Sequence, residues 1–220
     1  MTTALFRRLL VPALTLLGAG IVPLAAQEAQ PRPDPRYVAK ARADSARYPY
    51  TEADVHFMQG MIHHHAQALV MAGWASSHGA SPAVLTLCGR IINAQNDEIR
   101  FMQMWLRDRN QDVPAPTPGP MKMKMDGMEH EMLMPGMLND DEMKELDRAR
   151  GVDFDVKFLR GMIKHHSGAV DMVNELLGTY GAAQDEITAK LAQDIQIDQT
   201  TEITRMQKML AASLGLTGPA

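Results

Sequence analysis

The chain has 220 residues and a mass of 24.3 kDa. Its 45% hydrophobic and 22% charged residues sit near the globular average, which excludes a disordered, collagenous or polytopic membrane protein. A formal net charge of −4 supplies no electrostatic footprint for nucleic acid. Methionine is the anomaly, with 18 copies against 5 Phe, 4 Tyr and 2 Trp.

Arg7 and Arg8 precede an apolar run from Leu9 to Ala26 that ends in small residues before Gln27 and Glu28. That is the layout of a secretory signal, so residues 1–26 are expected to be removed after Ala25 or Ala26. Pro12 and Pro23 make the run a poor permanent span, and membrane attachment is expected only if it is retained. The expected location is periplasmic or secreted. Thiols oxidise there, and the single Cys88 has no partner, so no disulfide framework exists. Among Val84, Leu85, Leu87 and Ile91, Cys88 reads as a small buried hydrophobe.

Residues 27–50, with Pro31, Pro33, Pro35 and Pro49, read as a Pro-rich tether. Thr51 to Asp54 resembles a capped helix start, and helical spacing then runs through Phe57, Met61, His65, Ala68 and Ala72 towards a stop at Gly79. At this length the first helix would extend roughly 40 Å. Ser81 and Pro82 open a second helix through Ile91, Ile99 and Leu106. A Met- and Pro-rich linker, 110–138, follows. Asn139 to Arg150 reads as a short helix, a third long helix runs from Asp153 or Asp155 to Gly178, and a fourth runs from about Ala182 to Leu214. No strand is required by any stretch of useful length. The expected domain plan is a hairpin repeat at 51–109 and a second at 139–214 with its short leading helix, together one bundle domain.

The two halves are copies. The fifteen residues from Asp54 (Asp-Val-His-Phe-Met-Gln-Gly-Met-Ile-His-His-His-Ala-Gln-Ala) match those from Asp155 (Asp-Val-Lys-Phe-Leu-Arg-Gly-Met-Ile-Lys-His-His-Ser-Gly-Ala) without a gap. Downstream, Gln95, Glu98, Ile99 and Met102 fall opposite Gln199, Glu202, Ile203 and Met206. Duplication implies a pseudo-twofold axis, so whatever one half places in the core the other places across from it.

Met61, His64, His65 and Met71 therefore recur as Met162, His165, His166 and Met172. Residues three, four and seven apart share a helix face, so imidazole nitrogens and thioether sulfurs are expected to converge from two helices. Glu98 with Met102, and Glu202 with Met206, add a carboxylate and a thioether on the partner helices, the glutamates as ligands or as orienters of the histidines. Imidazole with thioether suits soft monovalent copper; silver or zinc are further candidates. The bland alternative is a packed core in which Met fills gaps and each His is satisfied by a carboxylate. His56 and His63 are matched by Lys157 and Lys164, which points to solvated positions or accessory ligands. His78 is expected to be exposed or to cap its helix end.

From Met121 to Met137 the linker holds seven methionines and His130 in seventeen residues. Gly, Pro and alternating charge argue against an ordinary core there, so Met121, Met123, Met125, Met128, His130, Met132, Met134 and Met137 are candidate soft-metal ligands on a mobile collector. A sacrificial oxidant trap or an adaptable partner surface are the alternatives.

The segments Phe-Met-x-x-Met-Ile-x-His-His-x-x-Ala from Phe57 and Phe-Leu-x-x-Met-Ile-x-His-His-x-x-Ala from Phe158, with the later Gln-x-x-Glu-Ile-x-x-Met segments, resemble the bacterial secreted domain of unknown function 305 (DUF305). The resemblance covers about residues 51–214. It implies an all-α, ferritin-like four-helix bundle built from two duplicated hairpins. Some members are similar to periplasmic Met/His copper-binding proteins, which implies copper handling through Met61, His64, His65, Met162, His165 and His166. Di-iron chemistry on such a bundle needs Glu-x-x-His pairs, and no Glu-x-x-His occurs in this chain. No nucleophile elbow, His-Glu-x-x-His helix or phosphate loop is present either. The expectation is a non-enzymatic copper-binding protein for tolerance or delivery, exchanging metal with another envelope protein. The alternatives are a metal-free envelope interaction protein and, behind it, a copper-dependent redox enzyme.

Overall fold

The computed structural model describes residues 50–125 and 128–216. The expected signal 1–26, and the tether 27–50 except its last residue, lie outside the described residues. Among these, helices α1 (Glu52–Gly73) and α2 (Pro82–Asp108) are followed by strands β1 (Met121–Met125) and β2 (Met128–Met132), then α3 (Asp140–Arg148), α4 (Val152–Gly178) and α5 (Glu186–Ser213). The fold is a bundle of two helical hairpins, α1/α2 and α4/α5, that meet along α1 and α4.

Local chemistry sets the helix starts. Thr51 and Asp54 form a capping box, Ser81 caps α2 with Pro82 behind it, and Asn139 forms a second box with Glu142, so the first free N–H groups of three helices are met by side-chain oxygens. The ends differ from expectation. α1 stops at Gly73, giving about 33 Å rather than 40; in the turn that follows, Ser77 donates its hydroxyl to Trp74 O and Gly79 takes φ +70°. α5 starts at Glu186, after Gly181 and Ala183 take positive φ.

The duplicated carboxylates link the halves. Asp54 Oδ1 accepts the N–H of Ala183 at 2.7 Å, and Asp155 accepts the N–H of Ser81 at 3.2 Å. Each carboxylate at the start of an inner helix thus holds the turn of the opposite hairpin.

α1 is buried round most of its circumference, whereas α2 buries one stripe from Val84 through Leu87, Ile91 and Ile99 to Leu106. The linker explains the difference. Its middle part is an antiparallel ribbon with Met121 opposite Met132, Lys122 opposite Glu131 and Met123 opposite His130. Met-Lys-Met-Lys-Met alternates with period two, the signature of a strand, so the expectation that no segment needs strands fails here. Its last part, Met134 to Leu138, is a strap laid across α1 and α4. Gln67 donates to Leu138 O at 2.9 Å and accepts from Leu138 N at 2.7 Å. A Cβ on Gly168 would stand 2.0 Å from Pro135 O, so only glycine admits the strap on α4. Met121, Met134 and Met137 are buried, contrary to the expectation that the linker contributes nothing to an ordinary core.

Two apolar clusters fill the interior. One holds Phe57, Met61, Met102 and Met172 with the linker's Met121, Met134 and Met137; the other holds Met71, Met162, Met206, Phe154 and Phe158.

Candidate metal centre

Four imidazoles, His64, His65, His165 and His166, are fully buried. His64 and His165, equivalent in the repeat, meet with ring centroids 3.7 Å apart and planes tilted by 34°, so the pseudo-twofold axis passes between them. His65 and His166 flank them at 6.1 Å.

Every ring is held by one nitrogen. His64 Nε2 donates to Pro135 O at 3.0 Å and His165 Nε2 to His64 O at 2.9 Å. A carbonyl can only accept, so Nε2 carries the proton in both rings. His65 Nε2 donates to Glu98 Oε2 at 2.6 Å, and His166 Nε2 to Glu202 Oε2 at 2.8 Å. The other nitrogen, Nδ1, is buried and without a hydrogen-bond partner in all four.

Electrostatics keep three of these rings, His64, His165 and His166, neutral. Burial lowers the pKa of His64 and His165 well below the ordinary 6.5, and the neighbouring imidazoles lower it further. Burial also lowers His166, outweighing the Glu202 carboxylate that opposes it. A neutral ring with its Nε2–H fixed on an acceptor presents Nδ1 as a lone pair, which is how metal-binding imidazoles are oriented. The residues therefore fit a metal. Left without one, each orphaned nitrogen costs about 1–3 kcal/mol.

The thioethers divide between the ends of this layer. Met61, Met102 and Met172 belong to one apolar cluster, and Met71, Met162 and Met206 to the other. Gly60 and Gly161, also repeat equivalents, make room for them: Met172 Cε lies 3.4 Å from where a Cβ on Gly60 would be, and Met71 Cε 3.3 Å from the same point on Gly161. Among the described residues no three of His, Cys, Asp and Glu are grouped so as to hold one ion. A centre here would need thioether sulfur.

Other expected residues fall elsewhere. Met128 and Met132 are exposed at 61% and 44%, and His130 is exposed; the side chains of Met123 and Met125 lie outside the described residues. His78 corrects its expectation: it is buried, with Nε2 on Asp147 O at 2.8 Å and Nδ1 at 2.9 Å from Ser77 Oγ. His63 Nδ1 lies 3.1 Å from Thr117 O. Cys88 is buried, and burial with the Asp155 charge pushes its thiol up to about 12, so it offers no ready thiolate.

Sequence reasoning missed the Pro135 carbonyl, which no local motif marks. It matched Gln95 with Gln199 without assigning them a role. Both are buried, carry unpartnered amide oxygens, and line a cleft between α2 and α5 with Glu98, Glu202 and Asp198. Partial burial, then Glu98, Glu202 and Asp194, raise the Asp198 carboxyl above its ordinary value.

The DUF305 family model matches residues 54–210, well over half of the chain. The chain belongs to the DUF305 family. A DUF305 protein from Streptomyces coelicolor, described as secreted, is 28% identical over 73% of this chain and 93% of its own, with a TM-score of 0.62. A DUF305 fragment from Deinococcus radiodurans is 29% identical over 74% of this chain and 99% of its own, also at 0.62. CopM in its Cu(I)-bound form is 29% identical over 73% of this chain and 96% of its own, at 0.53, and Cu(II)-bound and Ag-bound forms of CopM are similar as well. Among curated proteins none matches.

Proposed function

We propose that this DUF305 protein is an exported copper-binding protein, secreted or periplasmic, that holds monovalent copper for tolerance or for delivery to another envelope protein. The observation that carries this reading is the set of four buried Nδ1 atoms without partners, each on a ring anchored through Nε2 and lying between methionine-lined clusters. Copper is cargo here; silver would bind through the same donors, and zinc through the imidazoles.

Two half-sites follow from the division of the thioethers. Met61, His65, Met102 and Met172 serve one, Met162, His166, Met206 and Met71 the other, with His64 and His165 at the shared centre and Glu98 and Glu202 orienting their histidines. The repeats at 51–109 and 139–214 act as one bundle domain. The segment 110–138 gathers metal through Met121, Met123, Met125, Met128, His130, Met132, Met134 and Met137. The CopM likeness in Cu(I)-, Cu(II)- and Ag-bound forms supports the choice of metal. A metal-free core would leave the four nitrogens unsatisfied, which weighs against a purely structural role.

Competition of the purified protein with a chromogenic Cu(I) chelator tests the reading. Uptake that falls when His64, His65, His165 and His166 are replaced by Ala supports it; no uptake by the native chain at micromolar copper overturns it.

A further inference from the structure

One soft-donor constellation lies outside the histidine layer. β2, the strap and the two inner helices enclose a pocket of about 330 Å³ lined by Met132, Met134, Met172, His56, Phe57 and Glu175, among others. Burial deepens inward, with Met132 44% exposed against 3% for Met134 and 7% for Met172. Met134 Sδ and Met172 Cε stand 2.7 and 3.4 Å from the point a Cβ on Gly60 would occupy, so the two thioether side chains are neighbours in the pocket wall. The next residue along the strap, Pro135, accepts the His64 Nε2 proton at 3.0 Å. The inner wall of the pocket is therefore one residue from the histidine layer.

The pocket is not a product of the duplication. Met132 and Met134 belong to the linker, and Lys157 stands where His56 would recur. Packing explains Met134 and Met172 but not a methionine left nearly half exposed beside a half-buried histidine. Three thioethers and one imidazole around an apolar floor form a donor set for a soft monovalent cation, and exposed Glu175 places negative charge at the rim, which favours a cation's approach.

We propose that this pocket is a second soft-metal site, for loading, with Met132, Met134 and His56 as its own ligands and Met172 shared with the core, from which the ion passes to the histidine layer. The proposal rests on the copper-binding reading above. Silver(I) alone is the probe, titrated into the full chain, with stoichiometry read by native mass spectrometry and loading by stopped-flow. The His56→Leu, Met132→Leu double variant alters partly exposed positions, and its thermal melt checks the fold. It is expected to bind one silver ion fewer and to load the core about tenfold more slowly, the scale set by loss of supporting groups at a metal site. The Glu98→Leu, Glu202→Leu variant, which weakens only the core, is expected to keep the pocket ion. Unchanged stoichiometry and rate in the first variant, with native binding intact, overturns the loading site and leaves the core reading standing; loss of every ion in the second also overturns it. Failure of the native chain to take any silver sinks both.

Discussion

The two inner helices carry the same histidine motif but receive the strap by opposite means. On α1 the strap meets Gln67, whose amide both donates to and accepts from the backbone of Leu138. At the equivalent position of α4 stands Gly168, where Pro135 O occupies the space a side chain would need. A long polar side chain on one helix and none on the other let one segment cross the twofold axis. The duplication is therefore broken where the linker docks, and His64 alone hands its Nε2 proton to the strap while His165 hands its own to His64 O.

The harshest way to break this asymmetry is Gly168→Ala. Its new Cβ would collide with backbone rather than a yielding side chain, so a loss of about 3 kcal/mol is expected in chemical denaturation. Gly178→Ala, where nothing stands within 4 Å, is the control and should leave stability unchanged or slightly raised. Gln67→Ala comes next: it strands the N–H and C=O of Leu138 in a buried place, at about 2–3 kcal/mol, by the same assay.

Glu98→Leu and Glu202→Leu compare the half-sites directly. Each should weaken Cu(I) binding about 10- to 100-fold by loosening one imidazole, and chelator competition should find the two effects alike if the half-sites are equivalent. Acid probes the layer as a whole. His64, His165 and His166 have lowered pKa values in the folded core, so as pH falls through about 6.5 the unfolded chain binds protons that the native chain refuses. Their contribution to stability is present above that pH and is lost below it, at about 1.4 kcal/mol per pH unit for each histidine until its native value is reached. Melts of metal-free protein between pH 7.5 and 5 check this, and a flat profile contradicts it. The smallest effect belongs to Lys164→His, which copies the first half's His63 into the second. It removes an exposed ion pair with Glu142, worth under about 1 kcal/mol, and should leave metal stoichiometry unchanged.

The helices and their pairing were legible because caps and apolar spacing are local, and the gapless match from Asp54 and Asp155 announced the twofold. The histidines were legible as core residues because a broad stripe carried them in duplicate. Which nitrogen each would anchor was not, since the acceptors Pro135 O and His64 O are backbone atoms brought in from far along the chain. The linker was misjudged for a related reason: Met134 and Met137 gain burial only from a surface made by α1 and α4 together, which no window of sequence contains. The strand Met121–Met125 went unread because its alternation spans only five residues, too short a run to stand out beside the long helical spacing of the rest.

The reciprocal clasp of Asp54 on Ala183 and Asp155 on Ser81 means that neither hairpin completes itself. Severed from its mate, either would present an open carboxylate at one end and an unanswered amide at the other, a self-complementary pair of edges. The contact is isologous, each hairpin giving the other the same pair of groups, so the chain has the geometry of a two-subunit dimer held within one polypeptide.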